Sequence, residues 1–298
     1  MGNILVVGSS NTDMVVKTQR FPSPGETVVG GDFYLFQGGK GANQAVAASR
    51  LGGKVTFVSK VGKDLFGEKT KKSLEAENIL SDWILEDLSA PSGIALITVN
   101  GQGENQILVA PGANNTLSSL DIQKVFPSLP SFEIALCQLE IPLETVTFLA
   151  KNILSLGKKL ILNPAPAQVL PDMVYQKLFL ITPNETEATL LSGIPCDSPS
   201  AYSQIATWFR KKGVQNVLIT LGEKGSYFQN SSMEFLTPAY QVQAVDTTAA
   251  GDVFNGSLAV ALAEEMSWKK ALSFASKAAS ISVTRMGAQA SAPYRREI

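Results

Sequence analysis

Short unbroken apolar runs alternate along this chain with longer stretches of helical spacing, and glycines, prolines or polar clusters separate the two. Ile4–Val7 is an apolar run rich in β-branched residues and ended by Gly8. A run that is apolar at every position predicts a strand buried on both faces. From Val55 onward the pattern predicts strands near Val55–Val58, Ile134–Leu139, Leu160–Leu162, Phe179–Thr182 and Val217–Thr220. Between them, helical spacing predicts helices near Leu65–Glu77, Leu143–Leu156, Glu185–Ser192 and Ala201–Lys212, with another over Trp268–Val283. Such alternation predicts an α/β fold: a Rossmann-like, doubly wound, mostly parallel central sheet flanked by helices.

A different pattern interrupts the early part of the chain. Met14–Thr18, Thr27–Val29 and Phe33–Phe36 read as short strands divided by Pro22, Pro24 and Gly30-Gly31, with no room for a crossover helix. Strands so close in sequence pair antiparallel. Ile94–Val99 and Gln106–Val109, around Asn100-Gly-Gln-Gly103, read as a hairpin of the same kind. Residues of about 12–38 and 94–110 are therefore expected to form a small β-sheet lid. No internal repeat or linker divides the remainder, so residues 1–298 are expected to form a single domain.

Several stretches carry candidate chemistry. In Gln243-Ala-Val-Asp-Thr-Thr-Ala-Ala-Gly-Asp-Val-Phe-Asn-Gly256, Phe254, Leu258, Ala261 and Leu262 recur at helical spacing, which puts Ala249, Ala250 and Gly251 at a helix mouth. Unpaired N–H groups and the positive end of the helix dipole make such a mouth an anion cradle. Asp252, in the first turn, would face that anion, where a carboxylate is useful if it takes a proton from an attacking hydroxyl. A helix capped by an Asp is the alternative. Gly38-Gly-Lys-Gly-Ala-Asn43 opens another helix, through Ala45, Val46, Ala48 and Leu51. It is not a phosphate-binding P-loop, because Tyr34 stands where the first glycine would and no Ser or Thr follows Lys40 to hold magnesium. It reads either as a turn that brings backbone, Lys40 and Asn43 to a polar ligand, or as tight helix packing.

Polar residues also return after successive strands: Ser9-Ser-Asn-Thr-Asp13, Gln138-Leu-Glu140, Thr182-Pro-Asn-Glu-Thr-Glu187 and Thr220-Leu-Gly-Glu-Lys-Gly225. The carboxyl ends of strands are where open α/β sheets bind ligands. Glu187 alone could equally be a helix-start carboxylate. The tail Arg285-Met-Gly-Ala-Gln-Ala-Ser291 could be a cation-binding loop, but its residues by themselves favour a simple chain end. No dinucleotide fingerprint follows the first strand, which disfavours a dehydrogenase.

Composition narrows the classes. The 298 residues are 45% hydrophobic and carry a formal net charge of −1, which argues against nucleic acid or an anionic membrane as partner and favours a small metabolite. Cys137 and Cys196 are the only cysteines and there is no histidine, so a disulfide scaffold, a Cys/His zinc site and histidine triads are excluded. Proton transfer falls to carboxylates, lysines or tyrosine. The first apolar run is too short for a signal peptide and nothing later approaches a membrane span, so a cytoplasmic location is expected.

In order along the chain, Asn11-Thr-Asp13, Gly38-Gly-Lys-Gly-Ala-Asn43, Gln138-Leu-Glu140, Asn184-Glu-Thr-Glu187 and Asp246-Thr-Thr-Ala-Ala-Gly-Asp252 resemble the motifs of the PfkB, or ribokinase, family of sugar kinases. The resemblance extends over essentially the full length, and the AAGD ending is its most specific part. It implies a ribokinase-like fold and ATP-dependent phosphorylation of D-ribose at its 5-hydroxyl, with Mg²⁺ and an activating monovalent cation such as K⁺. Carried over residue by residue, it implies Asp252 as catalytic base and Ala249, Ala250 and Gly251 as anion hole. It assigns the sugar to Asn11, Asp13, Gly39, Lys40, Asn43, Glu140 and Asp252, and the nucleotide to Asn184, Thr220, Gly222, Gly251 and Ser276. Glu187 would order magnesium through water. Asp246, Thr248, Ser282, Arg285, Gly287 and Ser291 would form the monovalent-cation loop, against the chain-end reading. The resemblance also implies a homodimer through the lid. A kinase for deoxyribose, fructose, pseudouridine or adenosine is the alternative, and a sugar-binding regulator without catalysis ranks lower.

Overall fold

The computed structural model describes residues 2–298. The chain begins with β1 (Asn3–Val7), β2 (Asn11–Lys17), β3 (Phe33–Gly38), α1 (Lys40–Arg50), β4 (Lys54–Gly62) and α2 (Leu65–Ala76). It continues through β5 (Ile84–Asp87), β6 (Gly93–Val99), β7 (Asn105–Ala110), α3 (Ser119–Val125), β8 (Ile134–Cys137) and α4 (Leu143–Ser155). Next come β9 (Lys159–Leu162), α5 (Asp172–Tyr175), β10 (Leu180–Ile181), α6 (Glu185–Ser192) and α7 (Pro199–Lys211). The last elements are β11 (Asn216–Thr220), β12 (Ser226–Gln229), β13 (Glu234–Thr237), α8 (Ala250–Ala263) and α9 (Trp268–Ser282).

Nine strands form the central sheet in the order β13-β12-β11-β10-β9-β8-β1-β4-β5. Every pairing from β11 to β5 is parallel, and β12 and β13 close one edge antiparallel. The apolar runs are explained by burial on both faces. Ile4 and Val6, with Ile134, Leu136, Ile161 and Leu218, pack on one side with α1, α8 and α9. Leu5 and Val7, with Ala135, Cys137, Val217 and Ile219, feed the opposite core with α3, α4 and α7. Strand order reverses between β1 and β8, and at such a switch point the flanking loops separate and leave a crevice.

The second sheet has four strands in the order β3-β2-β6-β7, so both early segments join as expected. β2 pairs with β6 in parallel, and the two outer pairings are antiparallel. The expected strand at Thr27–Val29 does not form. The chain rejoins β2 only at Gly31 and Asp32, through bonds to Lys17, and Val29 is left 95% exposed with no neighbouring strand. A β-branched run without a pleated surface to pack on has no reason to extend. β2 also starts three residues earlier than its apolar pattern indicates, so Asn11 and Asp13 stand on a strand rather than in a loop. β5, α3, α5 and β13 were not predicted; each is short and lacks a long periodic pattern.

Two glycines bring the elements of the crevice together. Gly39, the N-cap of α1, has φ +85°, and a Cβ there would lie 2.7 Å from the Asn11 nitrogen. Gly256 lets α8 approach α1, since a Cβ would lie 2.5 Å from the Gln44 carbonyl oxygen. Gly39→Ala should therefore destabilise the fold by more than about 2 kcal/mol, from left-handed strain and a backbone clash together. Urea unfolding checks this, and a loss below about 0.5 kcal/mol would mean that the turn relaxes freely.

Candidate active site

The carboxyl ends of the parallel strands and the start of α8 enclose a cleft of about 190 Å³. Asn184, Thr220, Ala249, Ala250, Gly251 and Asp252 line it, together with Lys40 and Glu187. A larger, shallower groove of about 430 Å³ runs between Tyr240 and the lysines of α9, but it shares no residue with the cleft and holds no acidic side chain. Of the two, only the cleft combines carboxylates with open amides.

Ala249 caps α8 in a left-handed conformation, φ 59° and ψ 11°, without a side-chain cap. The Ala250 N–H is donated to the Thr247 carbonyl at 3.2 Å. The N–H groups of Ala249, Gly251 and Asp252 have no partner among the described residues, so the free donors of the turn include Asp252 in place of Ala250. A Cβ on Gly251 would meet nothing within 4 Å. That open space beside unpaired amides is an anion cradle by its geometry.

Asp252 is buried against α1. Asn43 Nδ2 donates to its Oδ2 and Gln44 Nε2 to its Oδ1, each at 2.9 Å. Burial raises its pKa, opposed by the nearby Lys40 ammonium and by the two amide bonds. Lys40 itself donates no side-chain hydrogen bond among the described residues. The charge of Asp252 raises its pKa most, against burial, and Glu140, Glu187 and Asp13 add to the effect. One ammonium among four carboxylates stays protonated.

On the lid side, the Asp13 carboxylate packs on Gly38 and has no hydrogen-bond partner among the described residues. Its pKa is pushed up to about 7 by burial first, then by Glu140 and Asp252, with Lys40 pulling the other way. Asn11 Oδ1 accepts from Asn114 Nδ2 at 2.8 Å, and the same amide group bonds Ser10 O, while Asn114 Oδ1 accepts from Ser10 N. Asn11 Nδ2 is therefore left as a free donor for a ligand. Asn43 Oδ1 is buried and unpaired, an acceptor in need of a partner. Glu140 accepts from the Lys40 backbone at 3.0 Å and from the Ser9 hydroxyl, tying the Gly38–Asn43 turn to the end of β8.

On the opposite wall, Asn184 caps α6 in a capping box with Glu187. Glu187 accepts from Asn184 N at 2.9 Å and from its Nδ2 at 3.0 Å, so the helix-start reading of this acid holds. Glu187 also faces the cleft, and burial raises its pKa. Asn184 bridges in parallel to Thr220, and Gly222 follows in an exposed turn with φ +56°. Ser276 is buried on α9 and, like Gly222, lies outside the cleft lining.

Beside α8, Asp246 binds Thr248 N at 2.9 Å and Gly287 N at 2.8 Å, which joins the motif to the C-terminal tail. Burial pushes Asp246 up, but its hydrogen bonds with Thr248 and Gly287 outweigh it and hold the carboxyl below its ordinary range. Ser282 and Ser291 are buried nearby in sequence, each bonded to a backbone carbonyl. Arg285 turns its guanidinium to Glu297, so only its main chain faces the loop. Arg50 Nη1, whose guanidinium also pairs with Glu77, donates at 2.8 Å to Gln289 O and to Ala292 O. Sequence motifs gave no sign of Arg50 or Asn114, nor of the buried amides Gln44, Asn163 and Asn255.

A sequence profile described as "pfkB family carbohydrate kinase" matches residues 1–295. The chain belongs to the pfkB family of carbohydrate kinases. It is 42% identical to a ribokinase of Haemophilus influenzae over 294 residues, covering 99% of this chain and 96% of that one. A deoxyribokinase of Salmonella typhimurium is 38% identical, with 98% and 95% covered. The structure of Arabidopsis thaliana ribokinase complexed with ribose and ATP superposes with a TM-score of 0.91 at 31% identity, covering 99% of this chain and 97% of that one.

Two outcomes test the geometry of this pfkB-family site. Gly251→Ala meets no steric obstacle, so stability should hold or rise by about 0.5–1 kcal/mol, while the methyl group fills the cradle and lowers kcat at least about a hundredfold. Paired melting and turnover measurements separate the two effects. In the second, a raised carboxyl pKa means that the folded chain binds more protons than the unfolded chain between about pH 4 and 7, so stability falls as pH rises through that window. Asp13→Asn removes this term. Its melting temperature should exceed that of the parent at pH 8, and the gain should vanish below about pH 4.

Proposed function

We propose that this chain transfers the γ-phosphoryl group of ATP to the 5-hydroxyl of D-ribose. The observation that carries the reading is the first turn of α8, which presents a buried carboxylate, Asp252, and unpaired main-chain amides to the same open cleft. The match to ribokinases, one of them solved with ribose and ATP, supports ribose as the sugar.

The residues divide the work. Asp252 takes the proton of the attacking hydroxyl while the amides of Ala249, Gly251 and Asp252 receive the charge of the transferring phosphoryl group. Asp13 accepts from sugar hydroxyls, Asn11 donates, and Asn43 Oδ1 supplies a further acceptor. Gly39, Lys40 and Glu140 complete the sugar side. Asn184, Thr220 and Gly222 hold the nucleotide, and Ser276 approaches it from α9. Closure of the lid over the sugar excludes water that would otherwise take the phosphate.

A cleft lined by two carboxylates and one lysine, with Asp13 and Glu140 close enough to act on that lysine, needs further positive charge to accept a polyanion. Glu187 keeps lone pairs beyond its two bonds from Asn184, and no group of three or more acidic, His or Cys side chains able to hold a metal occurs among the described residues. One carboxylate acting through water fits Mg²⁺, which binds mainly through substrate phosphates and retained waters and would neutralise charge there. The oxygen-only donors of Asp246, Thr248, Ser282, Arg285, Gly287 and Ser291 fit K⁺. Arg50 would brace that loop through the carbonyls of Gln289 and Ala292.

In register across the lid, Leu35, Met14, Leu96 and Leu108 form one row on the face opposite Asp13, and three of them are about half exposed or more. A second copy of the chain would cover this row, giving a homodimer around one domain and its lid. No helix among the described residues is long and apolar enough to cross a membrane, and use of ATP suits a cytoplasmic enzyme.

The deoxyribokinase relative supports a second reading, in which the sugar lacks the 2-hydroxyl. Coupled turnover of ribose, 2-deoxyribose, fructose, pseudouridine and adenosine, with and without K⁺, decides between them. Ribose should give the highest kcat/KM and K⁺ should raise the rate. Asp252→Asn should lower kcat at least about a thousandfold while ribose still binds calorimetrically. Preference for 2-deoxyribose, or near-normal turnover by that variant, would defeat the proposal.

A further inference from the structure

Gln44 is fully buried in the second turn of α1, and every polar position of its amide is used. One N–H donates to Asp252 Oδ1 at 2.9 Å and the other to Asn163 Oδ1 at 3.1 Å, while Oε1 accepts from Gln138 Nε2 at 2.5 Å. Rotating the amide by half a turn would set oxygen against two acceptors and nitrogen against a donor. Its orientation is therefore fixed by its three partners.

The chain of bonds continues from Asn163. Asn163 Nδ2 donates to Thr182 O, Thr182 Oγ1 to Asn255 Oδ1, and Asn255 Nδ2 to Gly251 O at 2.8 Å. It thus leaves the Asp252 carboxylate and returns to the carbonyl beside it, in the turn that bears the free amides. Asn163, Thr182 and Asn255 also line the cleft. With Asn43 holding Oδ2, the Asp252 carboxylate plane is set from two sides by α1.

We propose that Gln44 is a positioning residue for phosphoryl transfer, which fixes the Asp252 carboxylate in plane and in its ionised form and locks it to the anion cradle through Asn163, Thr182 and Asn255. This rests on the reading of Asp252 as the base. The charged groups that face Asp252 from other elements are Lys40, Glu140, Asp13 and Glu187, and all remain when Gln44 is changed. Any shift in titration on its replacement therefore reports the lost amide bond. The direction follows from the chemistry: a carboxylate that loses a donor to its charged form takes up its proton at higher pH.

The test is Gln44→Met, close in size and without donors, compared with the parent chain in ribose turnover across pH 5–9. The acid limb of kcat should move up by about one pH unit and kcat at its plateau should fall about tenfold, with KM for ribose and ATP within about threefold. Infrared titration of the Asp252 carboxyl, taken as the difference from Asp252→Asn, should show the same shift without any reaction. A folded Gln44→Met protein with an unmoved acid limb and kcat within about twofold overturns the inference. Should that variant fail to fold by thermal melting, Gln138→Met decides, since it removes only the bond that locks the Gln44 amide. A smaller shift in the same direction supports the inference and an unchanged pH profile overturns it. Absence of ribose turnover in the parent chain would instead defeat the functional reading, while the infrared shift would still report on Gln44.

Discussion

A carboxylate buried at a helix mouth is the constraint around which this molecule is built. Removing such a group from water costs several kcal/mol, and that cost has to be offset locally. The two amide bonds that Asp252 accepts from Asn43 and Gln44 contribute roughly 1.5–3 kcal/mol each, as bonds to a charged group do. Lys40 adds attraction through its charge, without a direct hydrogen bond. All three residues lie on the first turns of α1, so the carboxylate requires α1 and α8 to cross closely. Gly256 makes that crossing possible, and the glycines of the Gly38–Asn43 turn allow α1 to begin against β1 and β2. The close packing that the glycines of this turn suggested and the ligand-binding role it also suggested are therefore one arrangement, because the donors of Asp252 reach it only through that packing.

The same electrostatics joins the lid to the body. Asp13 sits on β2, in the separate sheet, yet Glu140 and Asp252 raise its pKa and Lys40 lowers it. A carboxylate that has no partner and is held near neutrality is unfavourable in the empty site and is relieved when hydroxyl donors arrive. On the proposed reading, sugar binding relieves this tension and draws the lid onto the cleft, which connects a stability cost in the free protein to closure before transfer.

What the chain disclosed by pattern was whatever repeats locally. Unbroken runs such as Ile4–Val7 disclosed buried strands because their two faces meet two cores, and helical spacing disclosed α4, α6 and α9 almost to their ends. The helix mouth at Ala249–Asp252 was legible because its small residues and its acid are adjacent in sequence. Partners a hundred or more residues apart were not. Gln44 reaches Asp252 across 208 positions and Asn114 reaches Asn11 across 103, and nothing within either local stretch distinguishes a buried amide from a solvated one. The failure at Thr27–Val29 has the same origin, since β propensity describes the run and says nothing of whether a strand will lie beside it. For Arg285 the motif placed the residue in the loop, while its guanidinium is directed away by Glu297, twelve residues further along the chain.

The division of labour also bears on how one architecture can accept different sugars. The proposed proton acceptor and anion cradle belong to α8, braced by α1 and by the strand ends of the main sheet. The groups proposed to read the sugar, Asn11 and Asp13, belong to β2, where Asn114 and Gly38 set their direction. A change in the lid strand can therefore alter which hydroxyls are satisfied without moving Asp252 or the amides of its turn. The converse does not hold, because Asp252, the proposed base, also contributes to the charge environment of Asp13. Sugar preference is then the more freely variable property of this fold and phosphoryl chemistry the more constrained, which accounts for ribokinases and a deoxyribokinase both standing near 40% identity to one chain.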